Sequence, residues 1–276
     1  MIDSYKVADP NGTKESREYG WSVGFGLQAA DGLTPSAYAY TVARQQIDGD
    51  IGYRQAADLL ERYHATHPDQ AGHREADIVS QRISETLQTP GFAFSPGTLK
   101  AIHARLFRDV LQDVDGKTRN DWVGVWRTEN ITKNEPVLHG ESVQYSDFMW
   151  IEPTLDYDFG EERRRQGAYQ RIDERQVAND VFAFLSGIWQ IHPFREGNTR
   201  TTAVFGILYL RHLGFAIDNT PFAEHSQYFR DALVLANASD RELRTDEPLR
   251  RFVDAALFEP NTPLDSLRGN SGNDTR

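Results

Sequence analysis

The sequence predicts a mainly α-helical fold with one short β-hairpin. Apolar residues recur three and four positions apart through most of the chain, which is the spacing of helices that bury one face. Helix boundaries coincide with residues that favour them, such as Ser95-Pro96 at a start and Gly214 at an end. The 276 residues include 39% hydrophobic and 26% charged side chains, the composition of a globular protein that can bury a large core.

Composition also limits the possible functions. The chain has no cysteine, which excludes disulfides, thiolate nucleophiles and zinc ribbons. Its 41 acidic and 30 basic side chains give a net charge of −11, which argues against a nucleic-acid partner. No apolar run reaches the ~18 residues that span a bilayer, and Met1–Glu18 has no signal-peptide core. We therefore expect no membrane partner and a cytoplasmic protein. Export to another cell stays open, and the sequence does not determine the oligomeric state.

Three segments are predicted to precede the core. Residues 1–20 are polar and contain a turn cluster, which predicts a loosely held tail. Residues 21–66 repeat apolar side chains at helical spacing and break at Asp48-Gly49-Asp50, which predicts a small unit with two short helices. Residues 67–75 are polar and predict a linker. Three histidines in this part of the chain are predicted to face solvent rather than bind a metal, because their spacing fits no compact motif: His64, His67 and His73.

Residues 76–258 are predicted to form the core, and the polar residues 259–276 a disordered tail. Alternating residues from Lys133 to Tyr145 around a proline turn predict the hairpin. A later helix must end before Pro193, since proline disfavours the helical conformation in the residue that precedes it. The helices are predicted around six apolar runs: Ile78–Leu87, Leu99–Phe107, Val177–Trp189, Val204–Leu213, Phe229–Val234 and Leu249–Leu257.

The nine residues from His192 to Arg200 separate two apolar helices and predict a phosphate-binding loop. A helix predicted to begin at about Thr199 directs its unpaired N–H groups and its positive dipole end into this loop, which makes an anion site. Gly197 lets a phosphate approach the backbone, and Asn198 and Arg200 add donors. The loop therefore predicts a phosphate cradle.

Two further residues of this loop predict a reaction. Glu196 would repel phosphates unless a cation cancels its charge, and Mg²⁺ is commonly held by one or two carboxylates together with substrate phosphates. His192 ends the preceding helix and can take a proton from an incoming nucleophile. Phe194 is predicted to anchor the loop in the core. Each residue alone fits a well-capped turn, but all of them together between two apolar helices favour nucleotide chemistry.

The string HPFREGNTR resembles the Fic-domain motif, H-x-F-x-[DE]-G-N-G-R-x-x-R. Fic proteins are mainly helical enzymes that typically transfer AMP from ATP to a hydroxyl side chain of a target protein. The resemblance covers roughly residues 76–258. It implies ATP as substrate, Mg²⁺ as cofactor and a protein with a Ser, Thr or Tyr hydroxyl as partner. The predicted hairpin falls where the family has a flap that aligns the target as an added strand, which implies flap roles for Lys133 and Leu138.

The resemblance also implies a role for each site residue. His192 would be the general base that deprotonates the target hydroxyl, and Glu196 would hold Mg²⁺ against the phosphates. Tyr228 would line the nucleotide base. The phosphate-binding residues would be Gly197, Asn198, Thr199 and Arg200.

Two positions depart from the family pattern. Thr199 replaces the second glycine of the motif, where it could cap the following helix but narrows the cradle. Ala203 replaces the final arginine, which contacts the terminal phosphate in the family. Three alternatives to AMP transfer therefore stand: nucleotide binding without transfer, transfer of UMP, phosphate or phosphocholine, and metal-dependent hydrolysis.

The N-terminal unit has its own resemblance. Residues 26–32 resemble the VbhA-type antitoxin, which inhibits some Fic proteins through an S/T-x-x-x-E-G/N helix. Leu27 replaces the hydroxyl residue and Asp31 the glutamate, which in the family pairs with the motif's final arginine. Because Ala203 stands at that arginine, both ends of the inhibitory pair are altered. Asp31 is the candidate inhibitory residue, and a helical brace that covers the core is the alternative to autoinhibition.

Overall fold

The computed structural model of the protein describes residues 12–268 and confirms the mainly α-helical fold. No β-strand forms within this range, where an isolated antiparallel bridge joins Gln112 and Thr118. The α-helices of the described range are α1 (Lys14–Ala29), α2 (Ala37–Asp48), α3 (Tyr53–Thr66), α4 (Arg74–Gln88), α5 (Pro96–Phe107), α6 (Ile151–Gln166), α7 (Glu174–Ile191), α8 (Asn198–His212), α9 (Thr220–Glu224), α10 (Ser226–Ala236) and α11 (Glu247–Leu257).

Helix α8 lies at the centre of the main core. Most of its residues from Asn198 to Leu210 are buried, so the helix is covered on nearly every side. Helices α4, α5 and α7 pack directly against it. Their contribution includes Phe107 of α5 and Trp189 of α7, both fully buried. Since α8 begins where the predicted phosphate loop ends, this packing fixes one end of that loop.

Helix α1 begins earlier than the sequence predicts. Its first residue is Lys14, and the side chain of Thr13 caps it by accepting a first-turn N–H. The predicted tail is therefore wrong for residues 14–20, whose helix packs on the core instead. Residues 1–11 of that tail lie outside the described range.

Helix α1 belongs to the main core rather than to a separate unit. Val23 and Leu27 are fully buried in the same apolar cluster as α7 and α8. The helix also approaches its neighbours at the level of the backbone. A Cβ atom on Gly24 would lie 2.5 Å from the carbonyl oxygen of Ser80 in α4, and one on Gly26 would lie 2.1 Å from the carbonyl oxygen of Ala223 in α9. A side chain at either glycine would force α1 away from the core.

Helices α2 and α3 form a smaller cluster with Trp21 of α1. A turn with Gly49 at φ 87° joins them, as the sequence predicts. The buried carboxylate of Asp77 in α4 holds both helices, since it accepts the backbone N–H and the hydroxyl of Ser36 and lies 2.8 Å from Nε2 of His64. The prediction that His64 faces solvent is therefore wrong, because a buried partner thirteen residues later takes it into the interior.

The segment 133–145, which we call the flap segment, reverses direction without forming a strand pair. A 3-10 helix at Pro136–Leu138 is followed by two residues with positive φ, His139 at 57° and Gly140 at 93°. Main-chain bonds join its two sides near the turn, from the N–H of Glu135 to the carbonyl of Glu141 at 2.9 Å and from the N–H of Gly140 to the carbonyl of Glu135 at 3.0 Å. The predicted hairpin is thus replaced by a tight turn, because proline has no N–H for a ladder and its fixed φ suits the helical turn.

Two further regions differ from the prediction. Helix α6 was not predicted; its buried stripe is narrow and includes the charged Glu162 beside Ile151, Leu155 and Phe159. The predicted disordered tail is wrong for its described part, residues 259–268, where Arg268 pairs with Asp231 of α10 at 2.8 Å; residues 269–276 lie outside the described range. In the described part of the chain, no helix combines the length and the apolar character that a bilayer crossing requires.

Candidate active site

The loop between α7 and α8 is bounded by two residues in the left-handed conformation. These are His192 at φ 53° and Gly197 at φ 75°, which serve as C-cap of α7 and N-cap of α8. The Asn198 amide closes the loop by accepting the N–H of Phe194 at 3.0 Å and donating to its carbonyl at 2.9 Å. Phe194 is buried and anchors the loop, as predicted. The Asn198 side chain therefore holds the loop's own backbone.

His192 is a buried imidazole with one nitrogen left free. Its Nδ1 lies 3.2 Å from the carbonyl oxygen of Trp189, so Nδ1 carries the proton and donates it. Nε2 is buried and has no hydrogen-bond partner among the described residues. Burial lowers the pKa of His192 well below its usual value, and the positive charge of Lys133 lowers it further. The ring of Tyr145, in the flap segment, lies 4.3 Å from the His192 ring and covers it.

A second buried histidine, His103 of α5, supports the same loop. The N–H of Gly124 donates to its Nδ1 at 3.0 Å, so its Nε2 carries the proton and donates to the carbonyl of Glu196 at 3.0 Å. Its ring stacks on Phe194 with the centroids 3.9 Å apart. Burial lowers the pKa of His103 to about 3, so the ring stays neutral. No short motif marks this histidine in the sequence, since its partners are distant in the chain.

The start of α8 is packed more tightly than a phosphate cradle suggests. A Cβ atom on Gly197 would lie 2.5 Å from the ring of Phe107, so the glycine is required by packing as well as by its φ. The hydroxyl of Thr199 accepts the indole N–H of Trp189 at 3.0 Å, inside the core. Thr199 is therefore not the N-cap of α8, as one interpretation proposed; Gly197 takes that position and Thr199 is buried.

Arg200 is the most heavily paired residue of the loop. Its guanidinium lies 2.7 Å from a carboxylate oxygen of Asp31, 2.7 Å from one of Glu75, and donates to the side-chain oxygen of Gln28 at 3.0 Å. Burial by itself lowers the pKa of Arg200, but the two carboxylates outweigh it and the pKa is raised. The ring of Phe107 lies beneath the guanidinium at 4.7 Å. The arginine predicted to bind phosphate is thus held by α1 and α4.

Glu196 and Lys133 form an ion pair between the loop and the flap segment. The ammonium nitrogen lies 3.1 Å from Oε2, and the Glu196 side chain is 47% exposed. Lys133 thus links the start of the flap segment to the loop, and its role in aligning a target stays a prediction. Leu138, the other predicted flap residue, is only 2% exposed and packs in the main core.

A cleft of about 580 Å³ opens beside the loop. Glu196 and Arg200 line it, whereas Tyr228 does not. Tyr228 is buried with its ring parallel to that of Phe252 in α11, which contradicts its predicted place at the nucleotide base. Charged groups of both signs face the cleft: Asp31, Glu75, Asp113 and Glu196, with Lys133, Arg195, Arg200, Arg230 and Arg268.

The flap segment is tied to α10 by a buried ion pair that the sequence did not reveal. Both carboxylate oxygens of Glu135 meet the guanidinium of Arg230, at 2.8 and 3.1 Å. The hydroxyl of Tyr145 donates to the same carboxylate at 3.0 Å. Burial raises the pKa of Tyr145, and the charge of Glu135 raises it further. Tyr145, which covers His192, is thus held in place by Glu135, and Glu135 is paired with Arg230 in the wall of the cleft.

These features define a helical protein in which one loop carries a neutral histidine, an exposed carboxylate and the N-terminus of a buried helix. Residues 93–210, which include this loop, match the Fic/DOC family. This part of the chain is therefore similar to a Fic domain.

Relatives of known sequence and structure agree with this assignment. The "Probable protein adenylyltransferase y4lH" of Sinorhizobium fredii is 27% identical over 181 residues, 65% of this chain and 84% of that protein. The "Protein adenylyltransferase VbhT" of Bartonella schoenbuchensis is 26% identical over 120 residues, 44% of this chain and 22% of that protein. The N-terminal Fic domain of the Bep8 protein from Bartonella sp. 1-1C shares the fold, with a TM-score of 0.50 at 14% identity over 70% of this chain and 87% of that one.

Proposed function

We propose that the chain is a protein adenylyltransferase that moves AMP from ATP to a Ser, Thr or Tyr hydroxyl of a target protein. The observation that carries the proposal is the free Nε2 of the buried, neutral His192, on the loop that also places Glu196 and Arg200 in the cleft. The similarity to a Fic domain and the activity named for both relatives support it.

In this reaction His192 acts as the general base. Its Nε2 takes the proton of the target hydroxyl, whose oxygen forms a bond to the α-phosphorus of ATP. The bond from that phosphorus to pyrophosphate breaks, and pyrophosphate leaves with the electron pair. Nε2 is buried in this structure and the ring of Tyr145 lies against the imidazole, so the flap segment must shift before a target hydroxyl reaches the base.

The residues present fit Mg²⁺ only when nucleotide phosphates complete its ligands. Within residues 12–268, no three histidine or carboxylate side chains are grouped to hold a metal by themselves. Glu196 is one exposed carboxylate in the cleft, and Mg²⁺ is commonly held by one or two carboxylates plus substrate phosphates. Bound there, Mg²⁺ would neutralise the phosphate charge. In this structure Lys133 forms an ion pair with Glu196. This ion pair would have to break before the Glu196 carboxylate could hold Mg²⁺.

The phosphate end of the loop is restrained, which supports autoinhibition as part of the proposal. Arg200 can bind phosphate only after it releases Asp31 of the turn that follows α1. The sequence indicates that both ends of the inhibitory pair are altered, because Asp31 replaces the glutamate and Ala203 the arginine. In this structure an acidic residue at the antitoxin-like position instead meets Arg200, one turn earlier in α8. The end of α1 is therefore the part of the predicted 21–66 unit that we assign to inhibition.

The activity is tested by incubating the protein with α-labelled ATP, Mg²⁺ and a cell lysate. We expect label on a protein band, and loss of that label in His192→Ala. A panel of labelled donors in the same assay identifies transfer of UMP, phosphate or phosphocholine. Release of AMP without protein labelling would replace the proposal with hydrolysis.

Autoinhibition is tested by Asp31→Asn, which removes the charge and keeps the size. We expect labelling to rise about tenfold, within the range usual for coupling between two sites. Asp50→Asn, at an exposed turn of the same N-terminal region, is the matched control and should leave labelling unchanged. Equal labelling in both variants, with equal melting temperatures, would reduce α1 to a brace for the core.

A second candidate function is nucleotide binding without transfer. The pairing of Arg200 with two carboxylates and the alanine at position 203 favour it. Calorimetry with ATP separates the two candidates, because this second function predicts binding by the wild-type chain and no labelled product even in Asp31→Asn.

A further inference from the structure

The backbone of His192 is held in a conformation that histidine seldom adopts. Its φ of 53° and ψ of 59° lie in the left-handed region, where glycine is the usual residue at the end of a helix. A conformation of this kind persists only where the surroundings hold it from several directions. It turns the chain out of α7 so that the imidazole lies under the flap segment while its Nδ1 still reaches the carbonyl of Trp189.

Arg127 is the residue that holds this turn. Its Nε donates to the carbonyl of His192 at 2.8 Å, and one terminal nitrogen lies 3.3 Å from the carbonyl of Ile191. Its backbone N–H donates to the carbonyl of Pro193 at 2.8 Å. Three consecutive carbonyl oxygens are thus bound by one residue. Because each carbonyl direction depends on ψ, these bonds fix the backbone on both sides of His192.

The other hydrogen bonds of the Arg127 side chain go to main-chain oxygens on either side of the flap segment, one before its first residue and one just after its last. One terminal nitrogen donates to the carbonyl of Glu129 at 2.6 Å, and the other donates to the carbonyl of Ser146. The side chain is 5% exposed, and every hydrogen-bond acceptor it uses in the described structure is a main-chain oxygen. Its guanidinium is therefore a fixed part of the turn, with a rigid fork of donors that lysine does not provide.

We propose that Arg127 is the positioning residue of the active site, which holds His192 in the left-handed turn and so leaves Nε2 unprotonated and free. Arg127 does not touch the reacting atoms in this role. It binds three consecutive main-chain carbonyl groups and thereby fixes the position of His192, which takes the proton. The catalytic consequence rests on the proposed function, but the effect on the His192 ring does not depend on any nucleotide.

The experiment compares Arg127→Met and Arg127→Lys with the full-length wild type. The first readout is nitrogen NMR of ¹⁵N-histidine-labelled protein without nucleotide, with His192 assigned from its loss in His192→Ala. We expect the wild-type ring to carry its proton on Nδ1. In Arg127→Met we expect a mixture of the two tautomers, because the turn no longer fixes the ring against Trp189.

The second readout is steady-state labelling. We expect kcat to fall about 100-fold in Arg127→Met, the loss that a misplacement of roughly 1 Å produces, with the KM for ATP changed by less than about threefold. Lysine keeps the charge but cannot bind three carbonyls at once, so Arg127→Lys should recover only part of kcat. If Arg127→Met does not fold, Arg127→Lys alone still tests both readouts.

Arg82→Met is the matched control. Arg82 also donates to main-chain oxygens at the end of a helix, the carbonyls of Leu106 and Arg108 at 3.1 and 2.6 Å, but away from His192. We expect a comparable loss of melting temperature with an unchanged tautomer and kcat.

Three outcomes separate the positioning role of Arg127 from the proposed transferase function. A wild-type tautomer in Arg127→Met, or a kcat no lower than in Arg82→Met, would overturn the positioning role. A wild type that labels no protein, while Arg127→Met still changes the tautomer, would overturn the proposed transferase function and leave the positioning of His192 standing.

Discussion

The active-site loop lies between two buried arginines that are held in opposite ways. Arg127, at the base end, donates only to main-chain oxygens in the described structure. Arg200, at the phosphate end, is held by side chains, the carboxylates of Asp31 and Glu75 and the amide of Gln28. Main-chain oxygens cannot move without unfolding the turn, whereas side chains can rotate away. The base end is therefore fixed, and the phosphate end can exchange its partners.

The position of the carboxylates favours that exchange. Arg200 is 3% exposed, but Asp31 and Glu75 are 28% and 25% exposed and line the cleft. Phosphate oxygens present the same charge and a similar geometry to a guanidinium. A nucleotide in the cleft can therefore compete for Arg200 from the open side, whereas Arg127 does not line this cleft.

The largest expected effect tests the base end. Removing the imidazole in His192→Ala should lower the rate of labelling by about 10²- to 10⁴-fold, the usual contribution of a positioned general base. ATP affinity, measured by calorimetry, should stay within about threefold because His192 contacts no phosphate in this arrangement. His212→Ala, at an exposed position of the same α8, is the control. Labelling that survives in His192→Ala would remove the base from the mechanism.

The next effect tests the start of α8, at the phosphate end. Gly197→Ala should lower the free energy of unfolding by about 2–5 kcal/mol, since the left-handed backbone costs about 1–2 kcal/mol and overpacking against Phe107 about 1–3 kcal/mol. Gly214→Ala, at the other end of the same helix, has φ 94° but no atom within 4 Å of the added Cβ.

The difference between the two variants isolates the packing contribution. Gly214→Ala should cost only about 1–2 kcal/mol, the backbone part alone. Urea unfolding measures both values. Equal losses would mean that the Phe107 contact does not restrict position 197.

The elements that the sequence predicted are those with strong local signals. Helices α4, α7 and α8 have wide apolar faces and clear boundaries, such as the residue before Pro193. Helix α6 has a narrow stripe interrupted by Glu162, whose carboxylate accepts the hydroxyls of Tyr169, just beyond the helix, and of Tyr209, 47 residues away in the chain. A buried acid with distant partners looks like a surface residue in a sequence pattern, so this helix was missed.

The candidate site shows the same division. The loop was predictable because its residues are contiguous, and Phe194 anchors it as expected. Arg127 and His103 support the loop from 65 and 93 residues away, and nothing local distinguishes them from other polar residues. The pairing of Asp31 with Arg200 was also hidden, since it depends on how α1 crosses the core. Roles within the motif can be predicted from spacing, but the residues that hold the motif require the fold.

A smaller effect is the pH dependence of stability, which arises from the two buried histidines near the base end of the loop. The folded-state pKa of His103 is about 3 and that of His192 is also lowered, from an unfolded value of 6.5. Below pH 6.5 the unfolded chain therefore binds protons that the folded chain does not, and stability falls as pH falls. Each of these histidines should contribute about 1.4 kcal/mol of lost stability per pH unit.

Urea unfolding between pH 6.5 and 5, above the range where most carboxylates titrate, measures this slope. In His103→Asn the number of protons taken up on unfolding, which sets the slope of unfolding free energy against pH, should decrease by about one. This holds whatever the overall stability of that variant. His212→Asn, which replaces an exposed histidine, is the control for the loss of a histidine as such. Identical slopes in all three proteins would contradict a neutral His103.

The smallest effect concerns Trp189, which connects the two ends of the loop. Its carbonyl accepts the Nδ1–H of His192, and its indole N–H donates to the hydroxyl of Thr199 in the first turn of α8. Thr199→Val keeps the shape but leaves the buried indole N–H without an acceptor, so it should cost about 1–2 kcal/mol of unfolding free energy. Thr199→Ser retains the oxygen and should cost less. In the Asp31→Asn background, where Arg200 keeps only Glu75 as a carboxylate partner, ATP affinity should be the same with Thr or Val at 199, because the hydroxyl faces the core. A weaker affinity with Val would mean that Thr199 belongs to the phosphate site after all, and that the first turn of α8 rearranges when nucleotide binds.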